Sequence, residues 1–100
     1  MFIIFVMLSL KNEDLLRRNI LSWSEADVSN WLCELNYPQH LHMFKENGIN
    51  GEILVHLDHE ALKDLGIHSV GNRLNILREI YHLKVHFEIS VEPEHYVPPC

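Results

Sequence analysis

Cysteine is almost missing from this chain. Cys33 and Cys100 are the only two in 100 residues, too few and too badly placed for a disulfide scaffold, so a reducing intracellular setting, the cytoplasm, is expected. Positive charge is scarce as well. Eight Lys and Arg stand against fourteen Asp and Glu, a formal net charge of −6. Such a chain repels a phosphate backbone unless its cations are gathered in one place, which makes nucleic acid a disfavoured partner. No glycine-rich loop that could cradle a phosphate is present, because Asn47-Gly48 and Asn50-Gly51 read as turns. Alternating strand patterns, internal repeats and low-complexity blocks are also missing. What remains, 47% apolar and 22% charged residues, is the composition of one small soluble globular domain.

Only one long apolar run occurs. Met1 to Leu10 is strongly apolar but meets Lys11, Asn12, Glu13 and Asp14 straight after, short of the roughly 20 apolar residues a transmembrane helix needs. No transmembrane segment is expected. A signal peptide would add a basic start and a small-residue cleavage site, and only an apolar middle is here. Two readings stay open for the run: a segment that packs on the domain, or a start that is not the natural one, since an exposed stretch of this kind invites association. Residues 1–21 are read as an apolar N-terminal extension, partly helical over Glu13 to Leu21, with Leu15, Leu16 and Ile20 on one side and Arg17 and Arg18 on the other.

Helical signals fill the rest. Ser24, followed by Glu25, Ala26 and Asp27, opens a helix by a capping arrangement, and Val28, Trp31, Leu32 and Leu35 recur at helical spacing. Asn36-Tyr37-Pro38 breaks it, and Pro38 can itself open the next helix, which carries Leu41 and Phe44. Ile49, between two turn signals, reads as an apolar plug, and a very short helix then buries Leu54 and Leu57. Asp58 caps a helix that Gly66 stops in the left-handed conformation. Ser69 restarts the chain.

From there a long amphipathic helix carries Val70, Leu74, Leu77 and Tyr81, interleaved with Ile76, Ile80, Leu83 and Phe87, and Asn72, Asn75, Glu79, His82 and His86 mark its opposite face. The expectation is an all-α fold, a compact five-helix bundle between about Ser24 and Phe87 with a long C-terminal helix. Its core should hold Trp31, Leu32, Leu35, Leu41, Phe44, Ile49, Leu54, Leu57, Leu62, Leu65, Ile67, Leu74, Leu77 and Ile80, since so small a core needs nearly all of them. Residues 88–100, acidic and proline-bearing, read as an extended tail.

This order of helices and plugs resembles a sterile alpha motif (SAM) domain over residues 22–87. Trp23-Ser24 with Val28 and Trp31-Leu32 is similar to the family's opening. Phe44 to Gly51 with Leu54 and Leu57 is similar to its centre, and Leu62 to Ile67 with Gly71, Arg73 and Ile76-Leu77 to its close. Within the family, Leu65 to Leu74 followed by Glu94-His95-Tyr96-Val97-Pro98 most resembles the fungal adaptors that tether a MAP kinase kinase kinase in pheromone and stress signalling. Those adaptors are longer and carry a Ras-association domain after the SAM domain. Nothing here could be one, so the chain is read as a fragment or truncated product.

Charge is placed unevenly along the domain. Between Lys45 and Asp64 five acids face two bases, a net of −3; from Gly66 to Phe87 three bases, Arg73, Arg78 and Lys84, face one acid, a net of +2. Opposite patches suit head-to-tail association, and the resemblance implies the same geometry, a "mid-loop" surface of one domain meeting an "end-helix" surface of another. The resemblance places Asn47, Glu52, Ile53, Glu60 and Asp64 in the first and His68, Val70, Gly71, Asn72 and Arg73 in the second. Ile53, beside Glu52, is expected at the rim, where an apolar residue amid acids can anchor an interface. Arg73 can fork onto a partner carboxylate, against the helix dipole, which disfavours a cation in the first turn. A solvated helical surface with no partner is the plainer alternative for these charges.

Other chemistry finds less support. His82 and His86 have the i, i+4 spacing of a metal pair, but third and fourth ligands are missing, so neither a metal nor another cofactor is expected. Cys33 could act as a nucleophile only with a poised base, and its neighbour is Glu34; no catalytic residue is assigned and the chain is not read as an enzyme. Three functions follow. The chain is an adaptor module that binds the SAM domain of a protein kinase, a self-polymerising scaffold, or, through Arg73 and Arg78, an RNA-hairpin binder of the kind the family also contains.

Overall fold

A computed structural model describes residues 13–89; the first ten residues, the tail from residue 90 and Cys100 lie outside them. A short helix, α1 (Glu13–Arg17), leads into a 3-10 turn at Ile20–Ser22. Five helices follow: α2 (Glu25–Glu34), α3 (Leu41–Glu46, entered through a 3-10 turn at Pro38–His40), α4 (Gly51–Leu54), α5 (His59–Asp64) and α6 (Val70–His86). The described residues contain no strand. The fold is an all-α bundle with a long last helix.

Short polar side chains set the helix starts. Ser24 and Asp27 form a reciprocal box on α2, the Ser24 hydroxyl accepting from the Asp27 amide at 3.2 Å and the Asp27 carboxylate from the Ser24 amide at 2.9 Å. Asn50 accepts from the Ile53 amide, Asp58 from the Ala61 amide and Ser69 from the Asn72 amide, at 3.0, 2.8 and 3.2 Å. Each supplies an acceptor to an amide that has no partner within its own helix.

Helix stops repeat one device. Asn36, Gly48, Gly66 and Glu88 all take positive φ, at 65°, 61°, 96° and 58°. The amide of the next residue then reaches back to the helix, Tyr37 to Leu32 O, Ile49 to Phe44 O, Ile67 to Leu62 O and Ile89 to Lys84 O. This closure satisfies carbonyls left over at a helix end and throws the following apolar side chain onto the core. Ile49 and Ile67 are buried there, and Tyr37 and Ile89 pack against it. Ile49 is thus a plug because Gly48 reverses the chain, and Ile67 repeats the device.

The core includes residues beyond those expected in it. Leu15, Ile20, Trp23, Val28, Val55, Ile76 and Leu83 are buried in it, whereas Leu35, Leu41 and Leu74 only pack against its edge. The packed unit therefore starts upstream of residue 22. Trp23 clasps the N-terminal segment, its Nε1 donating to the carbonyls of Leu15 and Arg18 at 3.2 and 3.0 Å. Arg18 forks onto Asp27 through Nη1 and Nη2 at 2.7 and 2.9 Å, and His86 Nε2 lies 3.1 Å from Leu16 O on the other side. The Arg18 fork and the Ser24 amide hold the Asp27 carboxyl well below the usual carboxylate range.

One backbone crossing locks this segment to α4. Gly51 N–H donates to Trp23 O at 3.0 Å, and a Cβ on Gly51 would stand 1.8 Å from the Ile20 carbonyl oxygen and 2.8 Å from Trp23 Cβ. Only glycine fits so close an approach.

The last helix buries a different arc from the one its pattern predicts. Val70, expected inside, is 57% exposed, and His82, expected on the polar face, is 5% exposed. Lys84, counted among the cations of the basic patch, is 3% exposed. The N-terminal segment also reaches the far end of α6. Leu16 O meets His86, and the Phe87 ring stands nearly perpendicular to that of Trp23 with centroids 6.4 Å apart.

Candidate functional site

The acidic surface is built on α3, α4 and α5. Asn47, Glu52, Ile53, Glu60 and Asp64 are all exposed, and Ile53 keeps 40% of its surface in water. The reason is local. α4 is a single turn whose buried members are Gly51 and Leu54, so the two residues between them have nowhere to go but outward. The Asn47 side chain bonds inward, from Nδ2 to Met43 O at 2.8 Å.

The surface at the start of α6 is different in kind. His68, Val70 and Gly71 are exposed, while Asn72 and Arg73 are half-buried. Arg73 Nη1 donates to Ile67 O at 2.8 Å, which ties the first turn of α6 to the plug before it. Its Nε is buried with no partner among the described residues. Arg73, read as a fork for a partner's carboxylate, thus already spends one of its donors inside the fold. Asn72 Nδ2 lies 3.3 Å from His40 Nε2, and Asn75 Nδ2 donates to the Tyr37 hydroxyl at 2.9 Å, so two Asn residues strap α6 to the turn that opens α3. Burial pushes the His40 imidazole below its ordinary pKa.

Farther along α6 the chemistry is that of a covered helix. Burial raises the Glu79 carboxyl and lowers the His82 imidazole, and the Arg78 charge adds to the second shift. His82 is buried and His86 is exposed against Leu16 O, so the i, i+4 pair does not present two imidazoles on one open face. No group of three His, Cys, Asp or Glu among the described residues is placed to hold a metal ion. Cys33 is exposed. No helix among the described residues is long and apolar enough to cross a membrane.

Sequence reasoning passed over Leu21. It is 50% exposed on the 3-10 turn that crosses α4 at Gly51, a crossing invisible in the linear pattern.

Known proteins are similar to this chain in sequence. The model of the SAM domain (sterile alpha motif) family matches residues 20–84. The chain is 43% identical over 86 residues to the mitogen-activated protein kinase adapter protein MST50 of Pyricularia oryzae, covering 85% of this chain and 18% of that protein. It is 40% identical over 78 residues to protein pob1 of Schizosaccharomyces pombe, covering 78% of this chain and 9% of that one. It is 43% identical over 61 residues to the human SH3 and multiple ankyrin repeat domains protein 2, covering 61% and 3%. The chain thus spans less than a fifth of the length of these relatives. With its capped helices, its Ile49 and Ile67 plugs and nearly all of its long last helix inside the matched residues, the chain belongs to the sterile alpha motif family.

Proposed function

We propose that the chain is a protein-interaction module, a signalling adaptor that binds the SAM domain of a MAP kinase kinase kinase by head-to-tail contact between its mid-loop and end-helix surfaces. The observation that carries the reading is a pair of exposed apolar residues on two separate surfaces. Ile53 stands at 40% exposure among Glu52, Glu60 and Asp64, and Val70 at 57% begins the last helix beside Arg73. An apolar anchor inside a charged rim is the make-up of a docking patch, and similarity to a kinase adapter supports the choice of partner.

The basic side is narrower than its sequence suggests. Lys84 is buried, which leaves Arg73 and Arg78, both half-buried, as the cations of the last helix. That weakens an RNA-hairpin reading, which needs a cluster of accessible cations. Self-assembly is the second reading, because one chain carries both surfaces, and a heterologous pair that does not close gives open chains.

The test is a titration of this chain with the isolated SAM domain of a kinase kinase kinase, followed by calorimetry. Saturable one-to-one binding is expected, weakened about tenfold or more by Val70→Glu or Ile53→Glu according to which surface is used. Binding that both variants leave untouched would remove the head-to-tail reading. Val70 is the better probe of the end-helix surface than Arg73, since Arg73→Glu also cuts the bond to Ile67 O.

A further inference from the structure

Two Asn-Gly pairs follow one another closely, Asn47-Gly48 and Asn50-Gly51, and the fold holds them differently. Asparagine is a thermolabile residue, and its lability is greatest before glycine, because no side chain shields the glycine nitrogen from the neighbouring carboxamide. In the second pair both reacting groups are locked. Gly51 is buried and its N–H donates across the chain to Trp23 O at 3.0 Å, while Asn50 Oδ1 accepts from the Ile53 amide at 3.0 Å as the cap of α4. Freeing that nitrogen means parting α4 from the 3-10 turn at Ile20–Ser22, whose Ile20 carbonyl stands where a Gly51 side chain would be.

The first pair is held by the end of its own helix. Asn47 is exposed and Gly48 half-buried. The Gly48 N–H donates to Lys45 O at 3.2 Å, and the Asn47 carboxamide donates through Nδ2 to Met43 O at 2.8 Å. Both acceptors lie in the last turn of α3, a helix of six residues. Helix ends fray, and such openings cost far less than parting packed elements.

We propose that Asn47 is a site of spontaneous modification, converting through a succinimide to aspartate and isoaspartate, and that the Gly51 crossing protects Asn50 from the same reaction. Once the last turn of α3 frays, the Gly48 nitrogen gives its proton to hydroxide and attacks Asn47 Cγ. A bond forms between the two, the bond from Cγ to Nδ2 breaks, and the departing nitrogen takes a proton from water to leave as ammonia. Water then opens the ring at either carbonyl, its hydroxyl going to the carbonyl carbon and its proton back to the Gly48 nitrogen. Nothing is oxidised or reduced, and water is the co-reactant. Both products add a carboxylate to a surface that already exposes Glu46 and Glu52. Isoaspartate also lengthens the main chain by a methylene just before Gly48, so the closure from Ile49 N–H to Phe44 O, now 3.1 Å, loses the spacing that seats the buried Ile49. The inference needs no partner and stands apart from the head-to-tail reading.

The test is to hold the full chain in mildly alkaline buffer, once folded and once in concentrated urea, and to follow both asparagines by peptide mapping and mass spectrometry. In the folded chain Asn47 should convert at least about tenfold faster than Asn50, and in urea the two should convert at similar rates. An isoaspartate-specific methyltransferase should label the aged folded chain, and Asn47→Gln should remove nearly all of that label. Equal rates in the folded chain, or a faster Asn50, would overturn the protection by the crossing. A folded chain that keeps Asn47 while the chain in urea loses it would overturn Asn47 as an accessible site, and no conversion in either condition would overturn the chemistry. The isoaspartate fraction, separated by ion exchange, should melt below both the unaltered chain and Asn47→Asp; a fraction that melts with Asn47→Asp would overturn the link to the Ile49 plug.

Discussion

The acidic surface and the start of the last helix divide their tasks differently. On α4 and α5 the residues that hold the fold, Asn50, Gly51, Leu54, Asp58 and Leu62, are not the residues that face out, Glu52, Ile53, Glu60 and Asp64. At the start of α6 the two tasks fall on the same side chains, because Arg73 bonds Ile67 O and Asn72 meets His40 while both remain half-open to water. Substitutions of Glu52, Ile53, Glu60 or Asp64 therefore spare the residues that hold the fold, whereas those of Asn72 or Arg73 disturb them.

The comparison is broken hardest from underneath. Leu54→Ala removes a fully buried side chain from a four-residue helix, and core truncations of this kind cost about 2–5 kcal/mol, a large part of the stability of so small a domain. A strongly lowered or absent thermal transition is expected by circular dichroism; an unchanged melting temperature would show that the acidic surface does not depend on α4 packing.

A smaller effect sharpens the contrast itself. Arg73→Ala should cost roughly 1–2 kcal/mol through its lost bond to Ile67 O, whereas Ile53→Glu, on an exposed position, should stay within about 0.5 kcal/mol of the unaltered chain. Urea melts of the two side by side decide it. Equal losses would erase the difference between the surfaces.

The smallest effect is a slope. Burial makes His82 and His40 harder to protonate in the folded chain, so below the ordinary histidine pKa of about 6.5 the unfolded chain binds more protons and stability falls as the pH drops. Glu79, raised by burial, acts in the opposite sense, losing stability as the pH rises through its folded pKa. His82→Gln should flatten the decline between about pH 7 and 5 in melts taken across pH, while Asp27, held low by Arg18, leaves its own acid limb below about pH 4 in place. A slope identical in the variant would mean that His82 titrates as it does in water.

Most of the fold was legible because its signals are local. Ser24, Asn50, Asp58 and Ser69 sit immediately before their helices, and Gly48 and Gly66 immediately before their plugs. The misreadings are long-range. His82 and Lys84 look polar on a helical wheel, yet the folded chain covers both. Asn36 and Glu88 stop helices in a conformation that composition does not announce. Leu21 was illegible for the same kind of reason, since its setting depends on a crossing between residues about thirty positions apart in the chain.

The Trp23 clasp has a consequence for where this domain can be cut. The family pattern begins at residue 20, yet Leu15 is buried, Arg18 holds Asp27, and the carbonyls of Leu15 and Arg18 take the indole proton. A chain trimmed at the start of the pattern would keep every residue the pattern matches and open a hole beside Trp23, stranding a buried indole donor. For this molecule the stretch that the family model matches is shorter than the stretch that packs together.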